Sequence, residues 1–308
     1  MTEDNPGHNP AGLVAVTTAV ALMGVGSVVA KASEIDGPVL ALHRVWIAAV
    51  LYFGLALALR GNVTLAGLRT AAPGGLFFGL EVAFFFSSIQ LTTVANATVL
   101  LALQPVLVLL VFSRRFGEVV ARSEMGLAIV AFGGVGLVVF GSSASPSWSP
   151  VGDLLGVGAL ITWTLYFVYS KQARQHLGAL EYQGLSLVFS SLVMVPVALL
   201  FSGTVDPGPG KWGWILVMVA TPGTGHLLMN WAHPRVPLAL VSELTLLSPV
   251  VSVGLAAWVL EGETLNLTQV IGMVLVLGTL VFMVRPTSSG RSTPTGPADQ
   301  RQDGLKSG

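Results

Sequence analysis

The sequence predicts an all-α membrane protein of ten transmembrane helices, arranged as two inverted five-helix repeats. Three observations support this prediction: charged residues are scarce, apolar stretches recur at spanning length, and two parts of the chain resemble each other at a fixed offset. Of the 308 residues, 53% are hydrophobic and 10% are charged, and the mean hydropathy is +0.77. Soluble domains carry roughly a quarter charged residues. This number of charges is too small to cover a water-exposed surface. Most of the outer surface must therefore face lipid.

The apolar stretches have the length of membrane spans. A helix needs about 20 residues to cross about 30 Å of hydrocarbon. Ten stretches qualify, numbered here as spans one to ten: residues 11–30, 39–59, 71–89, 92–113, 124–141, 152–170, 182–201, 212–232, 237–259 and 266–284. They are too uniformly apolar for the alternating pattern of a membrane β-barrel.

The distribution of lysine and arginine predicts the orientation of the spans. With the N-terminus in the cytoplasm, twelve of the fifteen basic residues fall on cytoplasmic segments, only Lys31 and Lys211 fall outside, and Arg44 lies within span two. Basic residues near helix ends resist translocation and set topology. We therefore expect a multi-pass protein of the plasma membrane with both termini in the cytoplasm. Span one should be retained, because the ten residues before it lack the positive charge of a signal peptide.

An internal repeat relates the two halves of the chain. Residues 81–105 align without a gap with residues 225–249. Each segment has the end of one helix, a short turn, and a second helix whose Leu-rich run closes on proline, at Pro105 and Pro249. Each half then contains five spans, an odd number, so the second half enters the membrane in the opposite sense. Two such halves can rock around a central cavity.

The repeat predicts how the chain is divided. The expected parts are a cytoplasmic tail (1–10), a first five-helix repeat (11–141), an outside linker (142–151), a second five-helix repeat (152–284) and a disordered cytoplasmic tail (285–308).

Short motifs in both halves resemble the EamA repeat. The first motif is an Ala/Leu-rich helix that ends in proline, at Ala97–Pro105 and Val241–Pro249. The second is the Gly-Glu pair that follows it, at Gly117-Glu118 and Gly262-Glu263. The third is the Gly-rich last helix of each half. The EamA repeat occurs twice in ten-helix members of the drug/metabolite transporter superfamily. The resemblance implies a substrate cavity near mid-membrane. In bacteria it also implies an exporter or exchanger of small metabolites in the cytoplasmic membrane.

Two acidic residues inside spans are the first candidates for substrate or proton contacts. An ionised side chain at the bilayer centre costs at least ~2.5 kcal/mol, so such residues usually face a cavity or a partner. Glu81 lies near the middle of span three, and Glu243 lies about two turns inside span nine. Either could bind a cationic group or exchange a proton. Either could instead be a protonated acid that joins two helices by a hydrogen bond.

Other polar and aromatic residues are weaker candidates. His226 and Asn230 are four residues apart and share a face of span eight. They could contact a substrate or relay protons, or simply form interhelical hydrogen bonds. Trp163 and Tyr166 in span six could form an aromatic wall, although such stripes more often serve packing.

Three further residues complete the predicted substrate-binding set. Asn96 and Gln104 lie two turns apart on span four and could line the same space. Arg44, about one turn into span two, could attract an anion at the cavity mouth or snorkel to the headgroups. We expect the cavity to be lined by spans three, four, six, eight and nine.

Glycine pairs predict close contacts between helices. Gly75/Gly79 and Gly152/Gly156 have the GxxxG spacing that lets helix backbones approach. Pro105 and Pro249 each remove a backbone donor and are expected to bend their helices.

Missing motifs narrow the function. The chain has no cysteine, no G-x-x-x-x-G-K-[ST] motif for ATP, and neither H-E-x-x-H nor G-x-S-x-G. We expect no metal and no cofactor, and balanced charge gives no reason to expect nucleic-acid binding.

The favoured function is a secondary transporter of a small metabolite, amino-acid-like or amphipathic. The expected partners are this solute, the lipid bilayer and protons. A channel or non-transporting receptor is the alternative, and an intramembrane enzyme is the weakest one.

Overall fold

A computed structural model describes the chain at residues 9–59, 61, 64–91, 94–112, 116–117, 120–141, 149–259 and 265–284, without the side chains of 89–90, 94–96 and 284. Several predictions made from the sequence lie outside the described residues: most of the N-terminal tail, the linker at 142–148, the C-terminal tail from 285, Glu118, and the Gly262-Glu263 pair.

The described residues form thirteen α-helices and two short π-helical stretches. The helices are α1 (Pro10–Ser33), α2 (Gly37–Ala58), α3 (Leu65–Leu91), α4 (Val94–Leu101), α5 (Gln104–Leu107), α6 (Arg122–Phe140), α7 (Pro150–Ala173), α8 (Ala179–Ser202), α9 (Trp212–Met218), α10 (Thr224–Ala232), α11 (Leu238–Leu244), α12 (Leu247–Val259) and α13 (Leu267–Val284). The π-helical stretches are Val108–Phe112, after α5, and Val219–Gly223, between α9 and α10.

Every predicted span coincides with one helix or with consecutive helices. Spans four, eight and nine are each interrupted, and the other seven are single helices. Within the described ranges no residue is in a β-strand, so the all-α prediction and the count of ten helical spans are confirmed. Seven of the described helices are long and apolar enough to cross a bilayer, and two more apolar helices, at Ala97–Phe112 and Leu267–Met283, are shorter.

The outer faces of the bundle are apolar. Large hydrophobic side chains are exposed along the long helices, with Leu154 at 70% and Leu200 at 79% relative exposure. Contiguous apolar surface of this extent is not tolerated in water. The chain is therefore a multi-pass membrane protein.

The helices α1 and α7 begin in the same way. Asn9 caps α1 by accepting a hydrogen bond from the Gly12 amide at 3.0 Å, and Ser149 caps α7 by accepting one from the Gly152 amide at 3.2 Å. Each cap is followed by a proline, which suits a helix start because proline lacks the amide hydrogen. Both helices are 24 residues long.

The two repeat prolines follow interruptions in their helices. Span four is broken at Ala102–Leu103, before Pro105, and span nine at Thr245–Leu246, before Pro249. Proline cannot donate to the carbonyl four residues earlier, and its ring clashes with that carbonyl. Tight-turn hydrogen bonds replace the missing ones, such as Leu246 N to Glu243 O at 3.0 Å. The expected bends are confirmed as breaks.

The long helices pack in a small number of pairs. The helix α3 lies between α7 and α8, α2 packs along α8, and α6 packs along α13. The helix α1 packs against the segments of span eight and against α12. This arrangement places the middle of spans two, three, seven and eight around one point.

Close helix contacts depend on small residues, as the glycine spacing predicts. The Gly75 carbonyl accepts a hydrogen bond from the Ser190 hydroxyl at 2.7 Å, so α3 and α8 touch at backbone level. An added Cβ at Gly79 would lie 2.9 Å from the Ser190 Cα. On the other face of α3, the Ser88 hydroxyl donates to the Gly152 carbonyl at 2.8 Å.

The substitution Gly75→Ala should destabilise the bundle by about 1–3 kcal/mol, because its new Cβ overlaps the Ser186 carbonyl. A matched control is Gly136→Ala in α6, where an added Cβ meets nothing within 4 Å. That change should be neutral or stabilising, since alanine is the better helix former. Thermal unfolding in detergent, followed by circular dichroism, measures both. Equal midpoints for the two variants would contradict the proposed contact.

Candidate functional site

A small cavity lies in the middle of the bundle. Its walls come from spans two, three, seven and eight, and its lining residues are Arg44, Val45, Ala48, Phe78, Gln183, Leu187, Met218, Gly223 and His226. It offers about 20 Å³ of space to the centre of a water-sized sphere. This is room for one or two waters, not for a metabolite.

Two residues of opposite charge lie near this cavity. Arg44 is partly exposed and lines the cavity, whereas Glu81 is buried on the helix α3. The two residues are close enough for their charges to influence each other. In a low-dielectric interior an isolated charge is strongly unfavourable, so an opposite charge nearby favours the burial of Glu81.

His226 forms an aromatic corner of the cavity. Its ring lies 4.7 Å from that of Phe78 and 6.0 Å from that of Trp163, measured between centroids. The Nδ1 atom of His226 is buried and has no hydrogen-bond partner in the described structure. A buried polar atom without a partner is uncommon and calls for an explanation. A bound solute or water in the cavity would supply the missing partner.

A hydrogen-bonded group of buried residues adjoins the cavity. The Asn230 side-chain amide donates to the Gln183 side-chain oxygen at 2.5 Å and to the Tyr166 hydroxyl at 3.2 Å. The Asn230 backbone carbonyl accepts a hydrogen bond from Nε of Arg174 at 2.7 Å. This group joins spans six, seven and eight and fixes the position of Gln183 at the cavity wall.

Aromatic rings form the wall behind this group. Trp163 stacks on Tyr166 with centroids 5.4 Å apart and an interplanar angle of 24°. Tyr166 in turn lies 4.9 Å from Phe78, which lines the cavity. The pair therefore contributes to one side of the site through Phe78 and His226.

Two predicted residues lie elsewhere, where spans four and nine cross. Gln104 is fully buried, and its oxygen accepts a long hydrogen bond of 3.5 Å from the Thr245 hydroxyl. The Gln104 amide nitrogen has no partner in the described structure. Glu243, two residues before Thr245, is 3% exposed. Neither Gln104 nor Glu243 lines the cavity of Arg44 and His226.

Comparison with known proteins finds a family domain in the second half of the chain. Residues 150–285 match the model of the EamA-like transporter family, so this part of the chain contains an EamA-like domain. A relative from Archaeoglobus fulgidus, named an uncharacterized transporter, is 28% identical over 277 residues, which cover 89% of this chain and 96% of the relative.

A solved structure shares the fold of this chain. It superposes with a TM-score of 0.76 at 20% sequence identity, and the match covers 89% of this chain and 96% of the other. At this level of identity the likeness concerns the fold alone.

The structure brings together some of the predicted site residues and separates others. Arg44, Glu81, His226, Asn230, Trp163 and Tyr166 lie at or next to one cavity, and Gln104 and Glu243 lie at the second location. The side chain of Asn96 lies outside the described residues. The predicted lining by spans four, six and nine is wrong for this cavity, whose other two walls come from spans two and seven.

Only Arg44 and His226 of the nine lining residues were predicted from the sequence, and the missed residues include one polar and one aromatic side chain. Gln183 is a polar residue in the first turns of span seven, and Phe78 is three residues before Glu81. The i−3 spacing places Phe78 on the face of Glu81, so helical periodicity contains this signal. The next residue back along α3, Phe77, stacks on Tyr169 with centroids 5.3 Å apart.

The substitution Asn230→Leu should cost about 1–3 kcal/mol of stability, because it leaves Gln183 and Tyr166 without their buried partner. A suitable control is Thr164→Val, which removes a buried hydroxyl that bonds only within its own helix, to the Leu160 carbonyl. That bond is not expected to stabilise the bundle. Thermal unfolding in detergent compares the two. A control as unstable as Asn230→Leu would contradict the role given to Asn230.

Proposed function

We propose that the chain is a secondary transporter of a small zwitterionic metabolite with an apolar or aromatic group, an amino-acid-like solute. The solute would bind at the cavity of Arg44 and Glu81 and cross by alternating access. Export is the favoured direction, on the resemblance to the EamA repeat. The single observation that carries the proposal is a pair of opposite charges beside a mid-bundle cavity that has an aromatic wall.

The charge pair suits a zwitterion. A guanidinium binds a carboxylate through two parallel hydrogen bonds, and a carboxylate binds an ammonium group. A zwitterion that enters between Arg44 and Glu81 gives each residue a new counter-charge. The two buried charges are then compensated both with and without solute, which a solute of single charge would not achieve.

The other walls suit the apolar part of such a solute. Phe78 offers aromatic surface to the cavity, and the stacked pair of Trp163 and Tyr166 lies behind it. His226 offers a nitrogen without a partner at the same place. A few polar groups on a mostly apolar wall are typical of small-molecule sites.

The cavity must expand to admit a metabolite, and span eight has a suitable place to bend. The π-helical stretch Val219–Gly223 contains Pro222 and lies between two lining residues, Met218 and His226. Single π-helical turns are frequent at functional sites because their hydrogen bonding is readily changed. We infer that span eight bends here when the cavity opens.

Alternating access requires two inverted halves, and the helix starts support them. The capped, proline-led starts of α1 and α7 are 140 positions apart and are the first spans of the two proposed repeats. The broken spans four and nine are also in corresponding positions. The family match to residues 150–285 covers the second proposed repeat.

The packing partners support the same relation. If spans one to five correspond to spans six to ten, the contact of α3 with α7 corresponds to that of span eight with α1, and both occur. The contact of span four with α7 corresponds to that of span nine with α1, and both occur. The pairs α2–α8 and α6–α13 map onto themselves, as expected for helices that flank a pseudo-two-fold axis.

The crossing of spans four and nine is a candidate for energy coupling. Glu243 is a buried acid at this crossing, away from the cavity. Broken helices in carriers commonly hold coupling ions. We propose that Glu243 exchanges a proton during the cycle and that Gln104 supports it. The substrate and the proton would then bind at separate places.

The first test concerns orientation in the plasma membrane. The chain has no cysteine, so single cysteines report cleanly. Thr2→Cys and Ser307→Cys should react with an impermeant thiol reagent only from the cytoplasmic side, and Ser145→Cys only from outside, because five spans separate the ends from this loop. Labelling of all three from one side would contradict the inverted repeat.

The second test concerns transport. In proteoliposomes, a screen of labelled metabolites with and without a proton gradient should find a zwitterion whose uptake saturates and shows counterflow. Glu81→Gln should weaken its binding roughly 10- to 100-fold, since a hydrogen bond to a charged group is lost. Glu243→Gln should instead remove the dependence on the proton gradient.

The control for this test is Glu124→Gln, the same chemical change outside the site. Glu124 accepts a hydrogen bond from the Ala121 amide at the start of α6, at 2.7 Å, and glutamine can do the same. This variant should transport normally. If Glu81→Gln and Glu243→Gln both match it in transport, pH dependence and affinity, the proposed site is wrong.

A further inference from the structure

A defined loop crosses one end of the bundle, close to the cavity. We call residues Ser202–Lys211, which join α8 to α9, the strap. The sequence argument places this end of the bundle outside the cell. Three glycines of the strap, Gly203, Gly208 and Gly210, have positive φ angles between 66° and 87°, which favour glycine. The Asp206 side chain accepts a hydrogen bond from the Gly208 amide at 2.9 Å. The strap therefore has its own fixed shape.

Polar contacts join both ends of the strap to the α1–α2 connection, and we call these contacts its fastenings. Ser202 donates a hydrogen bond to the Asp36 carboxylate. At the other end, Nζ of Lys211 donates to the Ser33 carbonyl at 2.5 Å and lies 3.7 Å from the Glu34 carboxylate. These fastenings bridge helices that the proposed repeat places in different halves.

A third fastening lies in the middle and involves His43 on α2. Nε2 of His43 lies 2.6 Å from the Val205 carbonyl, to which it donates, because Nδ1 accepts a hydrogen bond from the Trp46 indole at 2.8 Å. The His43 ring also lies 5.0 Å from that of Trp212, edge to face, at the first residue of α9. His43 thus holds the strap and the start of span eight against α2.

The strap contacts α2 next to a residue that lines the cavity. Arg44, a lining residue, follows His43 in the chain. Met218, another lining residue, is less than two helical turns after Trp212. Any widening of the cavity between α2 and span eight toward this end must separate Trp212 from His43.

We propose that the strap is the external lid of the cavity. It holds α2 and span eight together while the cavity is closed, and it detaches from the α1–α2 connection when the cavity opens outward. This inference rests on the proposed transport cycle, but the position and release of the lid can be tested without a substrate.

The contacts at the Lys211 end of the strap are weak enough to break and form again. The Lys211 side chain is 29% exposed and that of Glu34 is 83% exposed, and exposed ion pairs stabilise little. Glu34 has a φ of 52°, the one positive φ of a non-glycine residue in the described part of the chain. Backbone in this conformation is strained and persists where surrounding contacts hold it. Lys211 supplies two such contacts, one with the Ser33 carbonyl that precedes Glu34 and one with the Glu34 carboxylate.

The test uses the cysteine-free chain with one reporter, Ala48→Cys, in the cavity wall. Its labelling rate by an impermeant thiol reagent, added from outside to proteoliposomes, measures how often the lid opens. Adding Lys211→Ala should raise this rate about tenfold, because a charged hydrogen bond is lost. Adding Lys211→Arg, which keeps the charge and the donors, should leave it near the starting value. An equal rate in all three backgrounds would overturn the lid.

A second arm locks the lid closed. In Glu34→Cys/Lys211→Cys, a short reducible bis-thiol reagent should join the two positions and abolish transport, and a reductant should restore it. The single variants, treated alike, should transport throughout. Transport that persists in the joined form would overturn the lid while leaving the transporter proposal intact. If the unmodified chain transports no zwitterion in the screen, the proposed function fails, and the labelling arm alone decides about the lid.

If Lys211→Ala lowers the thermal midpoint in detergent, Glu34→Gln replaces it in the labelling arm. This change removes only the ion pair and leaves the hydrogen bond to Ser33 in place. It should raise the labelling rate by a smaller factor than Lys211→Ala. An unchanged rate in Glu34→Gln, together with an unfolded Lys211→Ala, counts against the lid.

Discussion

The rest of the structure depends on two oppositely charged residues inside a bundle that faces lipid. Glu81 is buried, and Arg44 is partly exposed at the cavity. Neither could occupy its position in purely apolar surroundings, because such an interior cannot solvate an isolated ion. These charges require polar or adaptable neighbours around the same point, which is where Gln183, Asn230 and His226 lie. The cavity is a consequence of this concentration of polar groups, since apolar side chains would have filled it.

A membrane bundle cannot rely on the hydrophobic effect to hold its helices together, because lipid chains are as apolar as leucine. This protein uses small residues and backbone contacts instead. Gly75 and Ser190 bring α3 and α8 into contact, and Gly134 and Gly272 do the same for α6 and α13, where an added Cβ at Gly272 would lie 2.6 Å from the Gly134 carbonyl oxygen.

The sequence predicts the helices well and the site only in part, for a physical reason. The cost of leaving backbone groups unpaired in lipid makes every span helical, so hydropathy alone finds all ten. Arg44 and Glu81 are recognisable as isolated charges in apolar runs. Which helices face each other depends on packing in three dimensions, which periodicity along one helix does not contain. Gln104 and Glu243 therefore resemble cavity residues in the sequence, yet they lie at a separate crossing. Gln183 needed the structure, because its role depends on Asn230, 47 positions away.

The contact of α3 with α8 is closer than the contact of span eight with α2, although the proposed repeat makes these two contacts equivalent. The helix α3 lies against α8 at backbone level, whereas span eight meets α2 through side chains, with an added Cβ at Gly223 3.4 Å from the Tyr52 hydroxyl. If the two halves are equivalent by descent, each can adopt the other's shape. Exchanging their conformations then generates a second state, in which α3 loosens from α8 and span eight closes on α2. Under the proposed transport cycle, the asymmetry of one structure would then describe both end points.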